Sequence, residues 1–166
     1  LGFSYSVPPI RLKRRFLMKE MTLTTGLIIS ILVGSAAVGN ISSYLFLPCF
    51  LAFSTMMIYP AFYDALDIKE DRREGCKTIA MILNQKRRLE LSTFGVLMIM
   101  AVTTLTYGYF NLSIVCPIIT VFACLLFLRF IFPLLMTPEE VYKEEVIEKA
   151  ASISKAVLFI IPLGFI

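Results

Sequence analysis

Histidine and tryptophan are both absent from this chain of 166 residues. The lack of histidine excludes His-based metal sites and general-base catalysis by an imidazole. The sequence also has no Gly-rich phosphate loop, no Ser-His-Asp arrangement and no dinucleotide-binding fingerprint. Its cysteines form no CxxC pair, and three of them lie in apolar segments, where a small buried thiol is the ordinary interpretation. We therefore assign no function to the four cysteines, Cys49, Cys76, Cys116 and Cys124.

Charge is scarce, and apolar residues are abundant. Hydrophobic residues make up 58% of the chain, charged residues 17%, and the mean hydropathy is +0.81. A soluble domain is usually less apolar and more charged, so the composition predicts an integral membrane protein. Four apolar segments come near the ~20 residues that a helix needs to cross a bilayer. They run from about Met21 to Val38, Tyr44 to Tyr63, Leu91 to Phe110 and Ser113 to Met136.

A fifth apolar run, from Ile153 to Ile166, is short for a membrane span. We expect either a fifth helix that is cut off at Ile166 or one with a polar entry at Lys155. The sequence thus predicts a membrane bundle with about five spans, within a single membrane domain over residues 1–166.

The basic residues lie on one side of these spans. Fifteen of the sixteen fall in Leu1–Glu20, Asp64–Glu90 or Thr137–Lys155, and the remaining one is Arg129. The short turns around Asn40 and Asn111 contain none. This is a positive-inside pattern, so we expect all three charged segments on the cytoplasmic side. The net charge of +4 follows from this topology and does not indicate nucleic-acid binding.

The most informative of these segments is a dense run of charge between the second and third spans, YDALDIKEDRREGCKT, from Tyr63 to Thr78. At about 100° per residue, the carboxylates of Asp64, Asp67 and Asp71 fall within roughly 60° of one another on a helix. The basic residues of the run fall on the opposite side. The spacing predicts a short cytoplasmic helix over residues 64–78 with one acidic and one basic face.

Crowded carboxylates repel one another unless a cation neutralises them. A hard divalent cation is the natural partner, because Mg²⁺ is usually held by one or two carboxylates together with substrate phosphates. The alternative is a solvated loop next to the membrane whose charges only keep it in water. The spacing, followed by Gly75 and Thr78, favours the cation site.

Two further charged features need an interpretation. Thr137 to Ala151 is predicted to be a charged surface helix, with Thr137 as its cap, Pro138 at its first position and Glu140 at the capping-box position. Arg129 lies inside the fourth apolar segment, where a charge is costly unless it reaches the interface or faces a polar cavity. For Arg129, both readings stay open.

The chain opens with a polar, basic stretch. Pro8 and Pro9 prevent a regular helix there, and four cationic residues follow closely: Arg11, Lys13, Arg14 and Arg15. A positive-inside anchor for the next helix accounts for these charges. The chain begins at Leu1 and not at Met, and from this we expect that the N-terminal part of a longer protein is missing.

Two motifs resemble those of the UbiA-type intramembrane prenyltransferases. The charge run is similar to the second Asp-rich motif of that family, and the opening stretch is similar to the loop that those enzymes carry between their fourth and fifth helices. The order of motifs and spans fits over essentially the whole chain. The matching residues read Tyr5-Ser6-x-Pro8-Pro9-x-Arg11-x-Lys13 and Tyr63-Asp64-xx-Asp67-xxx-Asp71-xxx-Gly75-xx-Thr78.

The resemblance implies an all-α bundle of nine transmembrane helices, of which this chain is similar to helices five to nine. Such enzymes transfer an isoprenyl group from its diphosphate to an aromatic or lipid acceptor, and Mg²⁺ ions held by two Asp-rich motifs bind the diphosphate. Their acceptors imply a role in quinone or ether-lipid biosynthesis, with membrane lipids as surroundings and no nucleic-acid partner.

The resemblance also implies roles for individual residues. Asp67 and Asp71 would be Mg²⁺ ligands, with Asp64 as a third carboxylate. The diphosphate oxygens would be contacted by Arg11 and Lys13, with Tyr5, Ser6 and Lys77. Tyr59 and Tyr63 would contact the prenyl chain or its carbocation, although aromatic residues near the membrane interface are more often anchors.

One element of the family pattern is missing. The chain has no NDxxD-type first Asp-rich motif, so half of the implied metal site is absent. We therefore expect this polypeptide to be inactive alone, unless a separate chain carries the missing N-terminal helices. Two other readings stay open. One is a non-catalytic membrane protein, such as a small transporter or assembly subunit, in which Arg129 lines a path, and the other is a truncated remnant.

Overall fold

The computed structural model describes residues 17–39, 42–143, 145–150 and 152–153. These residues form helices and no strand, so the predicted all-α fold is confirmed for them. The helices in chain order are α1 (Met18–Ala37), α2 (Phe46–Arg73), α3 (Ile79–Ile82), α4 (Gln85–Thr106) and α5 (Val115–Met136). Short 3-10 helices cover Ser43–Leu45 and Pro138–Tyr142, and residues 145–150 are again helical.

The helix α4 lies at the centre of the described bundle. It packs against α2 on one side and α5 on the other, while α1 packs against α2. The core between α2, α4 and α5 contains aromatic and aliphatic side chains that are almost fully buried, among them Phe62, Leu89, Phe127 and Ile131. Two aromatic pairs, Phe62 with Phe127 and Phe62 with Phe130, join α2 to α5 with ring centroids 5.9 Å apart.

Three helices, α1, α4 and α5, are long and apolar enough to cross a membrane. The two parts of α2 add a fourth if they count as one span. Many large apolar side chains on these helices are exposed, such as Val33, Leu105 and Phe132, which is the distribution expected where lipid replaces water as the solvent. These helices match the four predicted apolar segments. The fifth predicted run, residues 153–166, lies outside the described residues except for Ile153.

The third span begins earlier than its apolar segment does. The sequence predicts a start at Leu91, whereas α4 begins at Gln85. Asn84 caps it, because its Oδ1 accepts a hydrogen bond from the Arg87 amide at 2.9 Å. The polar first turns of α4 therefore belong to the helix although they lie outside the apolar run, and hydropathy alone misses such turns.

The charge run is not the separate short helix that the sequence predicts. It is the C-terminal part of α2, which continues to Arg73. The helix axis turns by 93° between Phe46–Phe62 and Asp67–Arg73, just beyond Pro60. Proline removes a helical hydrogen bond and its ring disturbs the preceding turn, so Pro60 weakens the helix just before the bend but does not by itself set the position of the bend.

Side chains of α4 donate hydrogen bonds to carbonyls of α2 that lie just before this bend. Ser92 Oγ donates to the carbonyls of Met57 and Ile58 at 3.3 and 3.1 Å, and Gln85 Nε2 donates to the Ala61 carbonyl at 2.8 Å. Carbonyls near a helix kink need such donors, because a buried acceptor without a partner is costly. The centre of the bundle thus stabilises the position of the charge run.

The end of α2 is set by Gly75. Its φ of 70° is in the left-handed region, which glycine adopts without a steric penalty. The Cys76 amide donates to the Asp71 carbonyl at 2.8 Å, and the Gly75 amide donates to the Arg72 carbonyl at 3.2 Å, so the helix ends in a Schellman motif. The chain reverses here and leads into α3.

The segment after α5 differs from the predicted capped helix. Residues Pro138–Tyr142 form a 3-10 helix, and the Thr137 hydroxyl donates back to the Pro133 carbonyl at 3.4 Å instead of capping. Thr137 has φ −127° and ψ 68°, and its side chain makes no capping hydrogen bond. Glu140 and Lys143 pair on the surface at 2.9 Å, and the hydrogen bond from Lys143 lowers the pKa of Glu140.

Candidate functional site

Lys19, in the first turn of α1, forms ion pairs with two carboxylates of the charge run. Its Nζ lies 3.0 Å from Asp64 Oδ1 and 3.0 Å from Asp71 Oδ2. All three side chains are largely shielded from solvent, with exposures of 11%, 12% and 14%. One ammonium thus pairs with two carboxylates at a nearly buried position, where ionic interactions are screened less than at the surface.

Glu20 fixes the same end of α1 to the chain beyond the charge run. Its Oε1 accepts a hydrogen bond from the Ile79 amide, at the start of α3, at 2.9 Å. Glu20 is 5% exposed, and within the described ranges neither its Oε2 nor Oγ1 of the buried Thr78 has a hydrogen-bond partner. Two neighbouring residues of α1 therefore contact the two ends of the segment from Asp64 to Ile79.

The structure brings together two of the three predicted carboxylates. Asp64 and Asp71 converge on Lys19, whereas Asp67 is exposed. The helical spacing places all three on one side of a straight helix, but the axis of α2 bends between Phe62 and Asp67. Asp64 lies within the bend, whereas Asp67 and Asp71 lie beyond it, so the bend changes the direction of Asp64 relative to the other two. Among the described residues, no group of three acidic or cysteine side chains is arranged to hold a metal ion.

Of the other predicted site residues, the structure describes the side chain of Lys77 only. Lys77 is exposed, between Gly75 and Thr78, at the end of the charge run. Tyr59 and Tyr63 lie on α2, but their side chains are outside the described part of the structure. The predicted diphosphate-binding residues of the opening stretch also lie outside it: Tyr5, Ser6, Arg11 and Lys13.

Lys19 and Glu20 are the site residues that sequence reasoning missed. In the sequence, Lys19 counts only as one of the fifteen basic residues of the positive-inside pattern. The available signal was a Lys-Glu pair directly before a long apolar run that otherwise carries no charge until Asp64. Charged residues in the first turn of a span need partners, and here the charge run and the amide of Ile79 supply them.

A second buried cation lies in the first turn of α4. Arg88 is 2% exposed, and its Nη2 donates to the Tyr142 hydroxyl at 2.9 Å. Its Nε and Nη1 have no hydrogen-bond partner among the described residues. Together with the buried side chain of Val141, this contact attaches the segment after α5 to the bundle.

Arg129 is exposed on α5 and lines a shallow groove of about 310 Å³ together with Glu145 and Lys149. The rest of the groove is apolar. Glu145 and Lys149 belong to the helical segment that follows α5, so Arg129 faces charged residues near the end of the span. This position of Arg129 is consistent with a side chain that reaches toward the interface. Lys19 is not among the described residues that line this groove.

Comparison with known proteins agrees with an all-α membrane bundle. The sequence profile of the UbiA prenyltransferase family matches residues 1–149. The chain therefore belongs to the UbiA prenyltransferase family, a family of integral membrane enzymes that transfer prenyl groups. No curated protein and no solved structure gives a match to the chain.

Proposed function

We propose that this chain provides part of the active site of a Mg²⁺-dependent prenyltransferase, which moves an isoprenyl group from its diphosphate to a lipid or aromatic acceptor. Prenyltransferases of the family generally use Mg²⁺. The observation that carries the proposal is the convergence of Asp64 and Asp71 on a single cation, the Lys19 ammonium, at 3.0 Å each. The charge run thus already binds a positive charge with carboxylate oxygens.

The donor set of the charge run fits Mg²⁺. Mg²⁺ prefers oxygen ligands and is usually held by one or two carboxylates plus substrate phosphates. Asp71 and Asp64 are directed at one point, and Asp67, one turn before Asp71, is exposed and accessible to a metal-bound substrate. We propose Asp67 and Asp71 as the main ligands and Asp64 as the supporting carboxylate. When bound, Mg²⁺ neutralises the diphosphate and makes it a better leaving group.

The remaining charges supply the contacts to the substrate. We propose that Arg11 and Lys13, with Tyr5 and Ser6, donate hydrogen bonds to the diphosphate oxygens, and that Lys77 adds a further cation. As the diphosphate leaves, these donors stabilise its growing negative charge. We assign Tyr59 and Tyr63, on the apolar part of α2, to the prenyl chain or to its carbocation.

The acceptor is proposed only as a class. A lipid or aromatic acceptor, as in ether-lipid or quinone biosynthesis, can reach a site at a membrane face by diffusing in the bilayer. The charge of the described chain is concentrated at one end of the spans, whereas a transport path would be expected to carry ionisable groups near the midplane. This distribution favours diphosphate chemistry at the membrane surface over transport.

The 166 residues contain one Asp-rich motif, while the resemblance implies two. We propose that transfer needs a second group of carboxylates from outside these residues, and that the chain alone is inactive. We also propose that the charge run faces the cytoplasm, in keeping with the positive-inside pattern.

The Asp variants test the metal assignment. In an enzyme complete with both Asp-rich motifs, we expect Asp67→Asn or Asp71→Asn to reduce prenyl transfer by at least about 10²-fold, because one metal-holding charge is lost at the point where the transition state needs it. The measurement is transfer of a radiolabelled prenyl group in membranes, with insertion checked by the amount of protein in the membrane fraction.

Glu70→Gln is the matched control. Glu70 is an exposed carboxylate on the same part of α2, so its variant loses the same charge and should keep most of the activity. Full turnover by Asp67→Asn or by Asp71→Asn would contradict the assignment of that residue as a ligand.

A further inference from the structure

We propose that Lys19 is a positioning residue of the proposed reaction: its ammonium holds Asp64 and Asp71 together as their resident counter-ion, and a divalent cation must displace it to bind there. The inference rests on the proposed function. It adds a residue on another helix, distant in sequence from the charge run.

Asp64 and Asp71 need a cation between them for an electrostatic reason. Asp64 and Asp71 are both largely shielded from solvent, with side-chain exposures of 12% and 14%. Two such carboxylates directed at one point repel each other and would be pushed apart without a cation between them. Lys19 supplies that cation at 3.0 Å from each. The two carboxylates are therefore held close together before any metal arrives.

A metal ion and the Lys19 ammonium compete for the same space. Mg²⁺ binds carboxylate oxygens at about 2.0–2.1 Å, closer than the 3.0 Å contacts of the ammonium. A metal ion held by both carboxylates would occupy the space of Lys19 Nζ, so the two cations exclude each other. Lys19 thus lowers the metal affinity of the pair at the same time as it keeps the pair assembled.

Once displaced, the Lys19 ammonium stays close to the site. The backbone of this turn of α1 is held by the neighbouring Glu20, which accepts the Ile79 amide hydrogen bond at 2.9 Å. The displaced ammonium therefore stays within the reach of a lysine side chain. Lysine has a flexible stem and three donor hydrogens, and a diphosphate brought in with the metal offers it new acceptors. Lys19 would thereby favour metal that arrives with diphosphate over metal alone.

The test is a titration of the full chain in detergent micelles with Mn²⁺, which prefers the same oxygen ligands as Mg²⁺. The free ion is followed by its electron paramagnetic resonance signal, without diphosphate. We expect Lys19→Met to bind Mn²⁺ about tenfold or more tightly than the unmodified chain, since a cation this close to a carboxylate shifts its binding equilibria by at least this order. The added Asp71→Asn change should abolish the gain.

Lys69→Met is the control, because Lys69 is an exposed lysine on the same part of α2 and its loss changes the net charge equally. If Lys19→Met does not fold, Lys19→Gln is titrated in its place. Unchanged or weaker binding in the Lys19 variant overturns the inference, as does an equal gain in Lys69→Met. A purely structural role for Lys19 predicts weaker binding, because the carboxylates would separate.

The titration measures no prenyl transfer, so the two proposals fail separately. Tighter Mn²⁺ binding by Lys19→Met supports the role of Lys19 even if the complete enzyme transfers no prenyl group, a result that would contradict the proposed function alone. Loss of transfer in the Asp67 and Asp71 variants with no gain in Lys19→Met would support the proposed function and contradict the inference.

Discussion

Residue identity matters most in this protein where two helices or two charges come close. Gly95 of α4 is an example outside the site. A Cβ atom at this position would lie 2.9 Å from Met57 Cβ and 3.5 Å from the Ser54 carbonyl, so α4 approaches α2 more closely than any side chain would allow. Small residues permit such contacts between membrane helices. The close approach also brings Ser92 within reach of the carbonyls at the bend of α2.

We therefore expect Gly95→Ala to destabilise the bundle by about 1–3 kcal/mol, because the added methyl group must displace the backbone or the Met57 side chain. Thermal unfolding in detergent, followed by circular dichroism, measures the change. Gly26→Ala on α1 is the matched control, since a Cβ there would meet nothing within 4 Å. Equal midpoints for the two variants would contradict the close contact.

At the scale of the elements, α1 is attached to the bundle in two ways. Its apolar surface packs against α2, and its first turn makes the ionic and hydrogen-bonded contacts of Lys19 and Glu20. The rest of α1 is largely exposed, as for Leu23 and Val33. The polar contacts of its first turn thus determine where this helix meets the segment between α2 and α3.

The Ile79 amide reports on this attachment. In Glu20→Ala we expect its hydrogen exchange to speed up at least about tenfold, because loss of a charged acceptor costs about 1.5–3 kcal/mol. Hydrogen-exchange mass spectrometry of the peptide that contains Ile79 measures the rate. The control is Glu90→Ala, on the surface of α4. If the Ile79 peptide exchanges at the same rate in the Glu20 variant and the unmodified chain, the contact does not hold the two elements together.

Sequence patterns locate elements better than they locate bends and caps. The apolar runs gave the spans, because a helix that crosses a bilayer needs about 20 apolar residues wherever it packs. They did not show that α2 continues into the charge run or that α4 begins at Gln85. The predicted cap at Thr137 was wrong, because its hydroxyl donates to Pro133 within α5.

At the scale of the whole molecule, the charged contacts of the described chain gather at one end of the apolar spans. The first turn of α1 contacts the charge run through Lys19 and the start of α3 through Glu20, and the start of α4 contacts the Ala61 carbonyl of α2 through Gln85. The turn on the opposite side, around Asn111, carries no charged residue. The fold thus separates an apolar body from one polar face, which is where the proposed diphosphate site lies.

The proposed orientation of this face can be measured by cysteine labelling. After the four native cysteines are replaced, we expect Lys69→Cys to react with a membrane-impermeant maleimide only from the cytoplasmic side. Tyr109→Cys, an exposed position near the opposite turn, should react only from the other side. The positive-inside distribution is the physical reason. Labelling of both cysteines from one side would contradict the crossing of the membrane by α4, which lies between the two positions.

The membrane class, the approximate positions of the spans and the family follow from the amino-acid sequence, because hydropathy and motif spacing are local properties of the chain. The sequence also singled out Asp64 and Asp71, but not Glu20. Which charged residues meet follows only from the packing of the helices, since Lys19 and Asp71 are 52 residues apart in the chain. Their contact depends on how α1 crosses α2 and on the bend after Pro60, and neither leaves a periodic signal in the sequence.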